Sequence, residues 1–409
     1  MQVPDDEVKM ITRYLILCLS SCGLALFVTP ILRHAAIENG VLDQPNERKI
    51  HKNAVPRVGG IAVVISFFTS IAIAYLLFRP QLNESMAYLT GLCIGTIVIS
   101  ITGIWDDLWS LTARRKMVGQ VAAALILVPF GFVIRRLNLP FVGTIDVGWQ
   151  VGVSLTVFWV VGIVNTINFI DGMDGLAAGV TVTIAAALFI VSVMNHHLLM
   201  AIVCLIVAGS ALGFLRYNFH PASIFMGDCG AMFLGLALAA VSVRVMFQSS
   251  SPTTISFVPV LIFGVPIADT TWAIMRRLRK RESPFHADSF HTHHRLFDIG
   301  FTQRRVAIIL YIASIVCVSA GIIIAVTDSE MLAVVLSACI LAATLIGAIT
   351  LGRKSPSQKL PKHSIVQPSE SSQSVIRRLY SKDSSYRQGN EQLNCVFHIK
   401  KGSGKEHIT

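Results

Sequence analysis

Charge is scarce in this sequence. Of its 409 residues only 14% are Asp, Glu, Lys or Arg, where a soluble domain carries roughly 25%. Ten stretches have none at all: 14–32, 58–78, 85–105, 117–134, 147–170, 175–215, 229–243, 245–268, 306–327 and 331–352. With 53% hydrophobic residues and a mean hydropathy of +0.65, the composition excludes an ordinary soluble enzyme and reads as a membrane protein. Paired cysteines are missing too. The eight are scattered, most of them inside apolar runs, and no two stand at metal-ligand spacing. Cys18 and Cys22 read as packing. There is no internal repeat of the kind that marks many transporters. The first apolar run lacks a basic leader and a small-residue cleavage site, so it reads as a retained span.

About 20 apolar residues cross a bilayer. The uncharged run 175–215 therefore holds two spans, turning near Asn195-His196-His197, and Arg244 sits near the end of one span. The expectation is an all-α polytopic membrane helix bundle with about 11 transmembrane helices: 11–33, 59–79, 86–105, 117–135, 149–167, 175–194, 198–216, 228–247, 257–276, 305–327 and 330–352. With loops on alternate sides, 28 of the 34 Lys and Arg fall on one side, and 17 against 6 when the tail is left out. The rich side is cytoplasmic by the positive-inside rule, which puts the N-terminus outside and the C-terminus inside. Residues 1–352 form the transmembrane domain. The tail 353–409, rich in Ser, Lys, Gln and Arg, is expected to be disordered and cytoplasmic. It holds eleven bases against four acids, so most of the +11 net charge is topology and tail. Nucleic acid is a poor partner for such a chain, and membrane lipids a better one.

Against this apolar background the polar motifs stand out, and each taken alone has a plain reading. Asn165-Thr-Ile-Asn168-Phe-Ile-Asp171-Gly-Met-Asp174-Gly sets two amides and two acids between long spans. It suits a turn with a helix cap as well as a ligand site. Asp106-Asp107 ends the third span, with Lys116 starting the next. Adjacent carboxylates repel by about 1 kcal/mol at 4 Å in water, so a metal, Lys116 or a substrate proton could relieve them. A solvated helix end is the alternative. Asn218 through Phe225-Met-Gly227-Asp228 places an acid between glycines at a helix start, as a cap or as a metal ligand. The loop Asp43 to Gly60 carries Arg48, Lys49, Lys52 and Arg57, which meet phosphates or simply obey topology. His291-Thr-His293-His294-Arg295 suits anionic oxygens better than tetrahedral zinc. The segment 136–148, with Pro140 and Gly143, reads as a hairpin on the outer face. All the acid, amide and histidine motifs fall on the cytoplasmic side of a topology drawn without them. Carboxylates and cations gathered at one membrane face point to phosphoryl chemistry.

Over about residues 40–310 the motifs resemble, in order, those of the polyprenyl-phosphate N-acetylhexosamine-1-phosphate transferases. They are Asp-x-Pro-Asn-x-Arg-Lys-x-His with Pro-Arg-x-Gly-Gly, then Asp-Asp with Lys116, then Asn-x-x-Asn-x-x-Asp-Gly-x-Asp-Gly-Leu-Ala, then Phe-Met-Gly-Asp, then His-x-His-His-Arg. The last is similar to the N-acetylglucosamine branch rather than to the phospho-MurNAc-pentapeptide translocase. The resemblance implies an enzyme of the bacterial cytoplasmic membrane. It would transfer N-acetylhexosamine 1-phosphate, with GlcNAc first among donors, from a UDP-sugar to undecaprenyl phosphate, releasing UMP and starting a cell-envelope polysaccharide. It implies Mg²⁺ or Mn²⁺. It also implies Asp228 and Asn168 as metal ligands, and Asp106, Asp107, Lys116, His291, His293 and His294 as catalytic groups. Asn168, Asp171, Asp174, Asn218, Phe225 and Arg295 would bind substrate, with Asp174 and Phe225 on the uracil. Asp106 would deprotonate or position the lipid phosphate, and direct attack is favoured over a covalent aspartyl intermediate. The partners implied are undecaprenyl phosphate, a UDP-N-acetyl sugar and membrane lipids, with a homodimer left open. Other UDP sugars (QuiNAc, a bacillosamine type, MurNAc-pentapeptide) remain alternatives. A transporter is the reading from another class, and a CDP-alcohol phosphotransferase is disfavoured because no Asp-Gly-x-x-Ala-Arg follows Asp171. Cys229 departs from the usual Thr, Ser or Val, and thiol sensitivity is the expectation drawn from it.

Overall fold

The computed structural model describes residues 5–43, 54–83, 85–139, 141–247, 257–279, 295–297, 299–327, 329, 331–332, 334–340 and 342. All of them lie in one unit, Met1–Ser355. The tail 353–409 and the histidines at 291, 293 and 294 fall outside the described residues.

The chain runs α1 (Asp5–Glu38), a two-residue pairing of β1 (Leu42–Asp43) with β2 (Val55–Pro56), α2 (Gly59–Asn83), α3 (Met86–Trp109) and α4 (Ala113–Leu127). The hairpin β3 (Arg136–Leu139) and β4 (Gly143–Asp146) follows, then α5 (Trp149–Ile170), α6 (Leu176–Met194), α7 (Leu198–Asn218) and α8 (Gly227–Met246). Beyond these come α9 (Val258–Ile262), α10 (Gly264–Arg279) and α11 (Gln303–Thr327).

Among the described residues eight helices, α1, α2, α3, α5, α6, α7, α8 and α11, are long and apolar enough to cross a membrane, and they coincide with eight of the expected spans. The other three differ. The expected span 117–135 gives only the 15-residue α4, because a 3₁₀ turn with Pro129 follows and Gly131 then turns left-handed at φ 91°. Proline has no N–H to continue the ladder. The expected span 257–276 divides at Phe263 into α9 and α10. The expected span 330–352 lies mostly outside the described residues. The 136–148 segment is the hairpin anticipated, with Arg136 opposite Asp146 and an ion pair of 3.2 Å between them.

The core is built around α8, 94% of whose apolar window is buried. Small and apolar residues on every side of α8 let neighbours approach from all round, and it packs against α2, α3, α5, α6, α7 and α9. Helices between lipid tails gain little from hydrophobicity alone, so close backbone approach through small residues carries much of the packing. A Cβ on Gly60 would stand 2.1 Å from the Gly230 nitrogen, and one on Gly103 2.4 Å from the Cys229 Cα. These contacts bring the start of α2 and the end of α3 against the first turn of α8.

Candidate active site

That first turn is the hub of a polar cluster. Gly227 takes a left-handed φ of 73°, which redirects the chain into α8, and Asp228 follows in the first turn. The helix receives no cap from its own N-cap residue, Met226. The cap comes instead from α3: the Asp228 and Cys229 amides donate to Asp107 Oδ1 and Oδ2 at 2.8 and 3.0 Å. A carboxylate there answers both the orphan N–H groups and the positive end of the helix dipole.

Two cations close over the acids. The Arg57 guanidinium reaches Asp107 Oδ1 at 3.3 Å through Nε and Asp228 Oδ2 at 3.1 Å through Nη2. Lys116 Nζ lies 2.9 Å from Asp106 Oδ2, 2.8 Å from Asp228 Oδ1 and 3.2 Å from Asn168 Oδ1. Asn168 Nδ2 donates to Asp228 Oδ1. The second oxygen of Asp106 accepts the Leu111 amide at 2.6 Å. Burial alone would lower the Lys116 ammonium pKa, but the Asp228 and Asp106 charges outweigh it and raise that pKa above its ordinary value. Desolvation pushes the Asp171 carboxyl well above the carboxylate range; Arg57 opposes the shift, and Asp228, Asp107 and Asp174 add to it.

One helical turn deeper, Gln120 and Asn165 exchange amide hydrogen bonds, 3.2 Å from Gln120 Nε2 and 2.7 Å from Asn165 Nδ2. Gln120 stands four residues after Lys116, and Asn165 three before Asn168, so each pair shares a helix face. The amide pair thereby registers α4 against α5 and holds Lys116 opposite Asn168.

A second wall adjoins the first. The turn Asp171–Gly175 and the loop Phe219–Met226 are tied together by Asn218, whose Oδ1 accepts from the Gly175 amide at 3.1 Å and whose Nδ2 donates to the Ile224 carbonyl at 3.0 Å. Asp174 Oδ2 accepts from His220 Nδ1 at 2.8 Å and from the Ala222 amide at 3.1 Å. Phe225 is half-buried. Its amide donates to the Pro56 carbonyl at 2.8 Å and its carbonyl accepts from Gly59 at 2.9 Å, which joins this loop to the segment carrying Arg57.

Most of the residues singled out in the sequence therefore meet at one end of the bundle. Asp106, Asp107, Lys116, Asn168 and Asp228 form one hydrogen-bonded cluster. Asp171 lies within its electrostatic reach, and Asp174, Asn218 and Phe225 line the adjoining wall. Arg295 is placed with its guanidinium 5.5 Å over the Trp272 ring of α10. Cys229 is fully buried, which closes the thiol to reagents and removes the basis for the thiol sensitivity expected of it. Sequence reasoning left Arg57 open between phosphate contact and topology, named Asn165 within the polar motif without a role of its own, and passed over Gln120 and His220 as site residues. Arg57 had a signal in the Pro-Arg-x-Gly-Gly motif, since glycines beside an arginine allow close backbone approach, whereas the Gln120–Asn165 pairing had none.

The cluster offers acceptor oxygens for a divalent ion and cations for a pyrophosphate, side by side. Residues 89–246, which span most of it, match the family described as Glycosyl transferase family 4. The chain is 36% identical, over 70% of its own length and 78% of the relative's, to a probable undecaprenyl-phosphate N-acetylglucosaminyl 1-phosphate transferase of Bacillus subtilis. It is 36% identical to a decaprenyl-phosphate N-acetylglucosaminephosphotransferase of Mycobacterium tuberculosis, over 79% of this chain and 85% of that one. It is 28% identical to an undecaprenyl-phosphate alpha-N-acetylglucosaminyl 1-phosphate transferase of Escherichia coli, over 74% and 82%.

Proposed function

The chain belongs to the polyprenyl-phosphate N-acetylglucosamine-1-phosphate transferases, and from that premise we propose that it moves GlcNAc 1-phosphate from UDP-GlcNAc to undecaprenyl phosphate. The reaction releases UMP at the cytoplasmic face of a bacterial membrane and leaves a lipid pyrophosphoryl sugar for a cell-envelope polysaccharide. The observation that carries this reading is the convergence of Asp228, Asp106, Asp107, Arg57, Lys116 and Asn168 at one end of an apolar bundle.

The donor set fits magnesium. Asp228 and the Asn168 amide oxygen are hard oxygen ligands, and Mg²⁺ is commonly held by one or two protein oxygens together with substrate phosphates and water. These two residues would hold it, and when bound it supplies charge neutralisation at the pyrophosphate. The rest is the work of the chain. Lys116 and Arg57 already face the acids, and both are placed to turn toward phosphate oxygens when the donor enters. Asp106, with one oxygen on Lys116 and the other on the Leu111 amide, acts as a positioning group for that lysine. Asp107 keeps α8, and so Asp228, in place.

A lipid phosphate oxygen attacks the sugar-bearing phosphorus of the donor. The new P–O bond forms as the bond to the bridging oxygen breaks, and UMP leaves with that electron pair. The attacking oxygen is already anionic and needs only screening. Both oxygens of Asp106, Asp107 and Asp228 are engaged, which supports direct attack over an aspartyl intermediate. In this reading Asp174 and Phe225 take the uridine, and the histidines at 291, 293 and 294, which lie outside the described residues, keep the phosphate-binding role that the family resemblance implies.

Membranes carrying the chain, given undecaprenyl phosphate, Mg²⁺ and a panel of UDP-sugars, are expected to release UMP fastest from UDP-GlcNAc. Release from none of the panel would refute the assignment, and a faster rate with another sugar would reassign the donor.

A further inference from the structure

His220 lies outside the acid cluster and holds one of its neighbours. Asp174 is only 13% exposed, and both of its hydrogen bonds among the described residues, from His220 Nδ1 and from the Ala222 amide, end on Oδ2. Among the described residues no donor reaches Oδ1. A carboxylate with one oxygen pinned twice presents the other in a fixed direction. That oxygen is an acceptor only.

The pin is itself braced from α11. Arg304 Nε donates to the His220 carbonyl at 3.0 Å, and the Tyr311 hydroxyl donates to the Gly175 carbonyl at 2.6 Å, one residue beyond Asp174. The tyrosine reaches this far because α6 offers a glycine beneath it: a Cβ on Gly179 would stand 2.2 Å from the Tyr311 ring. Thr183 and Ser314 share a hydrogen bond of 2.6 Å one turn along, which fixes the register of the two helices.

We infer that His220 is a positioning residue for nucleotide recognition, that α11 fixes it through Arg304 and Tyr311, and that Asp174 Oδ1 so held selects a base carrying an imide N–H. Uracil has that donor at N3; cytosine has a lone pair there and is repelled. The inference rests on the uridine-nucleotide reading above and adds to it the device that sets its selectivity. His220 acts through Asp174 and does not touch the reacting phosphorus. The required tautomer carries its proton on Nδ1, so any side chain with a donor at that position serves and a ring without one does not.

Three variants of the full chain in detergent with Mg²⁺ test this: His220→Phe, which keeps a ring and loses the donor, His220→Asn, whose amide donor takes the place of Nδ1, and Tyr311→Phe. For His220→Phe the KM for the UDP-sugar is expected to rise about tenfold with kcat within about threefold, and the preference for UMP over CMP as inhibitor to fall by a similar factor. His220→Asn is expected to stay within about threefold of the parent on all three measures, and Tyr311→Phe to fall between the two. If His220→Phe and His220→Asn behave alike, or kcat falls while KM and the UMP:CMP ratio hold, the inference is overturned and the function stands. A parent that releases no UMP from any UDP-sugar and binds UMP no better than CMP overturns both.

Discussion

Arg57 gives the sharpest test of the acid cluster. Its guanidinium spans Asp107, whose side chain is 3% exposed, and Asp228, at 10%, while itself remaining 41% open to water. In a dry interior, stripping one partner from a buried ion pair costs about 3–5 kcal/mol. Solvent reaches Arg57, so the lower range for hydrogen bonds to charged groups, about 1.5–3 kcal/mol, is the better guide. Part of the loss falls on Asp228, left with Lys116 as its remaining cation, and part on the Asp107 cap of α8. Both would shift the carboxylate that orients the donor. If that stabilisation carries into the transition state, Arg57→Leu lowers kcat/KM by about 10- to 100-fold. Arg57→Lys keeps the charge and loses the fork that reaches two carboxylates, so it recovers only part of the loss. The assay is UMP release by purified protein, normalised to the monodisperse fraction. Activity of Arg57→Leu within twofold of the parent would show that the Asp107–Arg57–Asp228 bridge contributes nothing to turnover.

Other outcomes follow from the same geometry. Asp228→Asn should abolish sugar-phosphate transfer while the protein still inserts, and chelation of Mg²⁺ should silence the parent reversibly; normal turnover by the variant would remove Asp228 from the site. Gly103→Ala would force a Cβ to 2.4 Å from the Cys229 backbone and should cost about 1–3 kcal/mol. Gly162→Ala, with nothing within 4 Å of its Cβ, should be silent, and equal melting temperatures for the two would refute the close-packing account. His197, in the turn between α6 and α7, is held down to about 4 from its ordinary 6.5 by burial and by the Arg244 and His196 charges. Between those values the unfolded chain binds the proton and the folded chain does not, so stability rises with pH across that window. His197→Gln should flatten the fall in melting temperature between pH 7 and pH 5, as read by differential scanning fluorimetry.

Much of this molecule was written in its local sequence. Uncharged runs long enough to cross a bilayer located eight of the helices, because apolar length and freedom from charge depend on composition alone. The positions of Asp106, Asp107, Lys116, Asn168, Asp174 and Asp228 between those runs marked them as functional, since a carboxylate beside hydrocarbon is costly without a reason. Tertiary structure decided how they are used. That Asp107 caps a helix five helices further along the chain, that Arg57 bridges two acids, that Gln120 pairs with Asn165 and that α11 braces His220 all depend on where helices cross. A crossing is set by small residues from two distant segments at once, such as Gly60 with Gly230 or Gly103 with Cys229, and neither segment alone records its partner. Pro129 and the break at Phe263 likewise shortened expected spans through backbone geometry that hydropathy does not sense.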